Sequence, residues 1–451
     1  MGHRLLSAVI ALGLLSGCAE RLGVDIATGY TAKQVCSGVF VAGLPEDHIV
    51  NHDVHMALGV LGPLLSLLEV ETDRQARRVS ASLLGTRSSA WYSGPTGCVL
   101  HGEAYAAPGA GIAAAVDATV SSPPPPDTLL PALDGALDAA FAEPAEGTRH
   151  TLAVLVSHRG KRVAERYARP VTAHTPMQSW SMNKSLMSTW IGMQVEQGAL
   201  DLSAPVASRL AAVDASLAAN LDPALNLGHL LHMESGLAFE ETYLPGDDAT
   251  RMLYREPAAW QVAAGNGQAH APGERFSYSS GDTNLASWVW QQSLEEPYID
   301  WVTREFSAPL GLGPVVVEHD ASGVQVGSSY TYMTARDWLR VGEFWLDALK
   351  GRSGLLSAAW MQAAVTPRPA AEEGNYGRGF WLNTLGVYYP ALPRDTFYAE
   401  GHNGQYVMIM PQQEIVIVRL GLSSAGNPVS GMGELAEGVL KVLAPAPLPQ
   451  G

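Results

Sequence analysis

The residues with the clearest chemical potential are a hydroxyl and an amine three positions apart. Ser181-Met182-Asn183-Lys184 opens a stretch, Ser185 to Gln194, whose apolar residues recur at helical spacing. Residues three apart share one helix face, so Ser181 and Lys184 can meet. A serine hydroxyl is a weak nucleophile and needs a base; a lysine serves when burial or nearby cations lower its pKa. The start of a helix adds partial positive charge and free backbone N–H groups, which can hold a developing oxyanion. No other Ser-x-x-Lys occurs in the chain. Two later segments offer partners. Pro272 to Gly281 places Tyr278 after a Pro-Gly turn and before a helix starting near Asn284, where a phenol beside ammonium groups could be held as phenolate and act as a base. Gly401-His402-Asn403-Gly404-Gln405 stands at the start of a strand. Its glycines allow close approach of a substrate, its Gln405 N–H is a second candidate oxyanion donor, and His402 could bind substrate or share in proton transfer.

These groups need a scaffold. Thr151–Ser157, a Gly-containing turn and Arg162–Tyr167 read as strand, turn, strand, and so do Gln405–Met410, Pro411–Glu414 and Ile415–Leu420. Near-continuous β-branched and apolar runs suit a sheet covered on both faces. Helical patterns lie between the two hairpins at Lys184–Gln197, Asn284–Gln292 and Thr334–Lys350. Strands at both ends with helices between imply one α+β domain whose ends share a sheet. Ahead of it, residues 18–120 form an N-terminal module of unassigned role, with a helix-like stretch at Val54–Leu68 and a strand-like piece at Arg78–Leu84. Residues 121–130 contain four consecutive prolines and read as a stiff linker to a domain spanning 131–445.

The ordered set Ser181-x-x-Lys184, Tyr278-Ser279-Ser280 and His402-Asn403-Gly404 resembles the penicillin-recognising serine hydrolases, which include class C β-lactamases, D-alanyl-D-alanine carboxypeptidases, related esterases and 6-aminohexanoate-dimer hydrolases. His229–Leu237, Phe306–Leu312, Thr334–Asp337 and Tyr376–Trp381 are similar to that family as well, so the likeness covers about 150–425. The resemblance implies a β-lactamase/transpeptidase-like fold, an antiparallel sheet flanked by helices with an inserted all-α region. It implies Ser181 as the acylated nucleophile, Lys184 and Tyr278 sharing acid–base work, and an oxyanion hole from the N–H groups of Ser181 and Gln405. His402, Asn403, Gly404, Ser280 and Trp381 become candidate substrate contacts. Two positions depart from the β-lactamase pattern: Ser280 stands where class C enzymes have Asn, and His402 replaces the lysine that binds a substrate carboxylate. Both favour an amidase or esterase resembling the aminohexanoate-dimer hydrolases, with β-lactamase or carboxypeptidase as the alternative; a degenerate hydrolase kept as a binding or sensor protein is the alternative of another class. No Gly-x-Ser-x-Gly elbow is present.

The balance of 28 basic and 44 acidic residues, net −16, argues against nucleic acid and against a polybasic dock on anionic lipid. Residues 1–17 read as an export signal ending in Leu15-Ser16-Gly17-Cys18, similar to a bacterial lipobox; an ordinary signal peptide is the other reading. Acylation of Cys18 would make membrane anchoring and an outer-membrane, periplasm-facing location the expectation, with a small amide or ester as substrate. Cys36 and Cys98 would then meet oxidising conditions and are candidates for a disulfide, with two buried thiols as the alternative. His48 and His52 are four apart, as in a helical metal pair, but no His-Glu-x-x-His occurs, so neither a metal nor an organic cofactor is expected.

Overall fold

The computed structural model describes residues 23–102, 130–371, 374–424 and 429–444. The segment read as an export signal, Cys18 and nearly all of the proline-rich stretch lie outside these residues. Among the described residues no helix is long and apolar enough to cross a membrane.

A six-stranded antiparallel sheet organises the domain. Its strands are β5 (Thr151–His158), β6 (Lys161–Tyr167), β10 (Trp381–Leu382), β11 (Phe397–Gly401), β12 (Gln405–Met410) and β13 (Ile415–Gly421), in the order β10-β11-β12-β13-β5-β6. The two ends of the domain meet where β13 pairs with β5, from Ile415 opposite His158 onward. Side chains alternate between the two faces through the middle of the strands. Leu155, Val407 and Val418 join the large core on one face, while Val156, Met408 and Ile417 join a smaller core on the other. The smaller core is closed by α2 (Asp134–Phe141) and α6 (Met432–Leu443), which pack together. The larger is covered by α3 (Asn183–Glu196) and α5 (Ala335–Leu349). Helix α5 sits so close that a Cβ on Gly342 would lie 2.6 Å from Val416 and 2.7 Å from Val407.

Between Gln178 and Val316 the described chain is helical and irregular, without a named strand, and includes α4 (Ser280–Gln291). A small sheet pairs β7 (Met177–Gln178) and β8 (Val316–Val317) with β9 (Thr331–Met333). It holds the backbone just ahead of Ser181.

The N-terminal region is not a separate body. Helix α1 (Val24–Phe40) lies against strands β1 (Glu69–Asp73), β2 (Arg78–Leu83), β3 (Thr86–Tyr92) and β4 (Cys98–Leu100), and its apolar residues belong to the same core as α3 and α5. Lys33 on α1 and Glu318, both fully buried, form an ion pair across the boundary. Glu318 also accepts from Ser37 Oγ at 2.8 Å and from the Cys98 N–H at 2.7 Å. Cys36 and Cys98 are joined in a disulfide that fastens α1 to β4. The stretch Val54–Leu68 is not one helix. A π-helical segment (Val50–Val54), one helical turn (His55–Ala57) and a 3-10 segment (Gly59–Leu67) follow each other, broken where Gly62 takes φ 52° before Pro63. Proline cannot continue a helix, and the residue ahead of it is pushed out of helical conformation.

Candidate active site

Ser181 lies in a 3-10 turn, Trp180–Met182, that leads directly into α3. Trp180 holds φ 46°, a costly conformation for a residue with a side chain, and the surroundings enforce it. The Ser179 N–H donates to the Thr331 carbonyl at 2.8 Å, and Ser179 Oγ donates to the Ser329 carbonyl at 3.1 Å. From the other side Gly401 presses on the same turn: a Cβ there would lie 2.3 Å from the Ser179 carbonyl oxygen and 3.0 Å from Trp180 Cβ. Only glycine lets β11 approach this closely.

Lys184, one helical turn on, is 3% exposed. Its Nζ donates to Ser181 Oγ at 3.0 Å and to Ser280 Oγ at 2.8 Å, and reaches the Ser328 carbonyl at 3.5 Å. Burial lowers its pKa to about 8, against the opposing pull of the Glu241 carboxylate. Ser280, the first residue of α4, passes the interaction on: its Oγ and its N–H both donate to Glu241, each at 2.6 Å. A continuous polar chain therefore runs from Ser181 through Lys184 and Ser280 to Glu241. The Lys184 ammonium also lies 4.8 Å from the centre of the Tyr278 ring. The Tyr278 hydroxyl lies near Ser181, which pulls its pKa down slightly, yet burial first, and the neighbouring Tyr376 and Glu241 next, push that pKa well above the ordinary value. It is therefore a neutral phenol, contrary to the expected phenolate.

A cavity of about 400 Å³ opens over Ser181 and Tyr278. Trp381, His402 and Asn403 border it, as expected. Ser280, Gly404 and Gln405 do not. Ser280 holds the lysine instead of a substrate. Gly404, at φ 78°, backs onto Arg419, whose guanidinium a Cβ would meet at 2.3 Å. Gln405 lies behind the turn, facing a second, smaller cavity; its side chain donates to the carbonyls of His402 at 3.1 Å and Gly421 at 2.6 Å. These contacts engage the Gln405 side chain, whereas the oxyanion role expected of this residue concerns its backbone N–H. Residues 401–403 carry the backbone that borders the cavity, because the three-residue turn 402–404 folds the chain away before Gln405. Trp260 stacks on Trp288, with ring centres 4.9 Å apart, and serves packing.

Several cavity residues escape notice in the sequence, among them Glu241, Tyr243, Tyr388 and Glu400. Tyr243 stacks flat on His402, with ring centres 4.9 Å apart and planes 8° apart, and its hydroxyl lies near Ser181 and Ser280 without a hydrogen bond of ordinary geometry. The exposed His402 ring borders the cavity, edge-on to Trp180. Glu400 accepts from Tyr406 Oη at 2.8 Å, and burial raises its pKa to about 7. The Asn403 side chain faces Asp53 of the N-terminal region.

A family model described as Beta-lactamase matches residues 137–436. The chain belongs to the beta-lactamase family. Residues 23–102 precede the part that matches. Among known proteins, the 6-aminohexanoate-dimer hydrolase of Paenarthrobacter ureafaciens is 24% identical over 292 residues, covering 58% of this chain and 70% of that one. Among solved structures, EstCE1, a hydrolase with promiscuous acyltransferase activity, superposes with a TM-score of 0.57 at 17% identity, over 70% of this chain and 98% of that one. A penicillin-binding protein homologue from Caulobacter crescentus gives 0.54 at 16% identity, over 69% and 98%. These structural matches establish the β-lactamase/transpeptidase-like fold.

Proposed function

We propose that this β-lactamase-family protein is a serine hydrolase that cleaves an amide or ester through an acyl-enzyme. The observation that carries this reading is the contact of a buried, pKa-lowered lysine amine, 3.0 Å from the Ser181 hydroxyl at the floor of a cavity. Neutral Lys184 accepts the Ser181 proton as Oγ attacks the substrate carbonyl. Negative charge collects on the carbonyl oxygen, held by the Ser181 N–H and an N–H from the 402–403 backbone. Collapse breaks the bond to the amine or alcohol, which leaves with a proton delivered through Tyr278 or Lys184. Water, deprotonated by the same groups, then hydrolyses the ester on Ser181 and restores the enzyme.

The cavity wall supports a substrate class. Glu241 and Glu400 border it, and no lysine or arginine is among its described lining residues. A β-lactam or a D-alanyl peptide brings a carboxylate that would find no cation there. Uncharged or amine-bearing amides and esters suit the wall better, in keeping with the hydrolase relative. The test compares p-nitrophenyl butyrate, an ω-amino amide and nitrocefin. Turnover of the first two, abolished by Ser181→Ala, with nitrocefin slow, supports the reading; unchanged ester turnover in Ser181→Ala defeats it. We further propose export and acylation at Cys18, placing the enzyme on the periplasmic side of the outer membrane. Radiolabelled palmitate should enter the full chain and fail to enter Cys18→Ser.

A further inference from the structure

Three imidazoles that hydrolysis does not use gather where the N-terminal region meets the catalytic domain. His48 belongs to the short helix Glu46–Ile49, and His52 follows on the same face in the π-helical segment Val50–Val54. His150, the residue ahead of β5, comes from the other side of the boundary. Ring centres are 4.8 Å apart for His48 and His52, 5.5 Å for His48 and His150, and 4.4 Å for His52 and His150. One ring nitrogen from each lies within 4.8 Å of the other two. Nε2 of His48 is buried and has no hydrogen-bond partner. His150 holds φ 37°, a conformation that residues with a Cβ avoid, and this aims its side chain at the other two. Spacing within the sequence reveals only the first pair; His150 is brought in by the fold.

We propose that His48, His52 and His150 bind a divalent transition-metal cation, Zn²⁺ fitting best, with water completing a tetrahedral shell. Imidazole nitrogen is a favoured ligand of zinc, and three histidines with one open position form a known zinc donor set. Zn–N bonds of about 2.0–2.1 Å set the nitrogens about 3.4 Å apart. The cluster must therefore contract by roughly 1.4 Å, within reach of a rotamer change at the exposed His52. The nearby carboxylates are already engaged. Glu143 accepts the N–H groups of Arg149 at 2.7 Å and His150 at 2.8 Å, and Asp47 accepts that of His48 at 2.9 Å. With two ligands from the N-terminal region and one from the catalytic domain, the ion would clamp the two together. Its ligand His52 adjoins Asp53, which faces Asn403 at the cavity.

The test uses the full, untagged chain stripped with chelator. Zinc binding is measured by competition with a chromophoric chelator, and thermal unfolding is followed with and without excess Zn²⁺. One Zn²⁺ per chain is expected, with a rise in Tm. His52→Ala, a surface change that leaves the fold and ester hydrolysis intact, should weaken binding at least tenfold and remove the Tm rise. His55→Ala, outside the triad, should leave both unchanged. Absence of stoichiometric binding, or binding that survives His52→Ala at full strength, overturns the proposal.

Discussion

At the scale of single residues, the proposed chemistry turns on the proton held by Lys184. Its pKa, brought to about 8 by burial, makes the amine mostly protonated at pH 6 and mostly free at pH 9. Ester kcat/KM should therefore rise with pH through a midpoint near 8. Glu241 opposes the shift by stabilising the ammonium, so Glu241→Gln should move that midpoint to lower pH; an unmoved or raised midpoint in a pH–rate profile would contradict the pairing. Lys184→Met should cost about 10²–10⁴ in kcat, the range of a lost general base. The sequence reveals Ser181, Lys184 and Tyr278 because their types and order are distinctive. It does not reveal Glu241 and Tyr243, since nothing in their local pattern distinguishes them from ordinary loop residues. The state of Tyr278 is likewise invisible there: a ring edge-on to Tyr376 and tilted against Trp381, in a setting dry enough to favour the neutral phenol, depends on side chains about a hundred residues away.

At the scale of elements, the site depends on how closely β11 approaches the turn before α3. Gly401→Ala would set a methyl 2.3 Å from the Ser179 carbonyl oxygen. Overpacking of this kind costs about 1–3 kcal/mol, and here the strain falls on the turn that carries Ser181. Ester kcat should fall further than the loss of folded protein explains, as read by activity and denaturant unfolding on the same samples. The paired hairpins and α3, α4 and α5 are legible from periodicity, within a few residues at each end. Helix α1 is not. Its residues are buried nearly all round, Thr28, Thr31, Lys33 and Ser37 included, so it shows no apolar stripe against a polar face. The disulfide binds this helix to β4 across a separation of 62 residues. Chain-entropy reasoning gives that crosslink about 4 kcal/mol. The Cys36→Ser/Cys98→Ser double variant should lower unfolding free energy by up to about that amount while leaving the Ser181–Lys184 chemistry in place.

For the whole molecule, the 23–102 region and the β-lactamase-family domain share one hydrophobic core, which the proline-rich segment between them conceals in the sequence. Composition suggests a linker and hence two bodies; the buried Lys33–Glu318 pair and the shared core join them. Lys33→Met would leave the Glu318 carboxylate buried without its cation, a loss of about 3–5 kcal/mol. The variant should unfold in a single transition at lower denaturant, whereas a separate early transition for the N-terminal region alone would contradict the integration. The same integration carries Asp53 to Asn403, at the rim of the cavity. The most direct test of the serine-hydrolase reading is the intact mass of the protein after brief exposure to a fluorophosphonate probe, followed by peptide mapping. One adduct per chain, on the peptide carrying Ser181 and absent in Ser181→Ala, is the expected result. No adduct, or one that persists in Ser181→Ala, would contradict it.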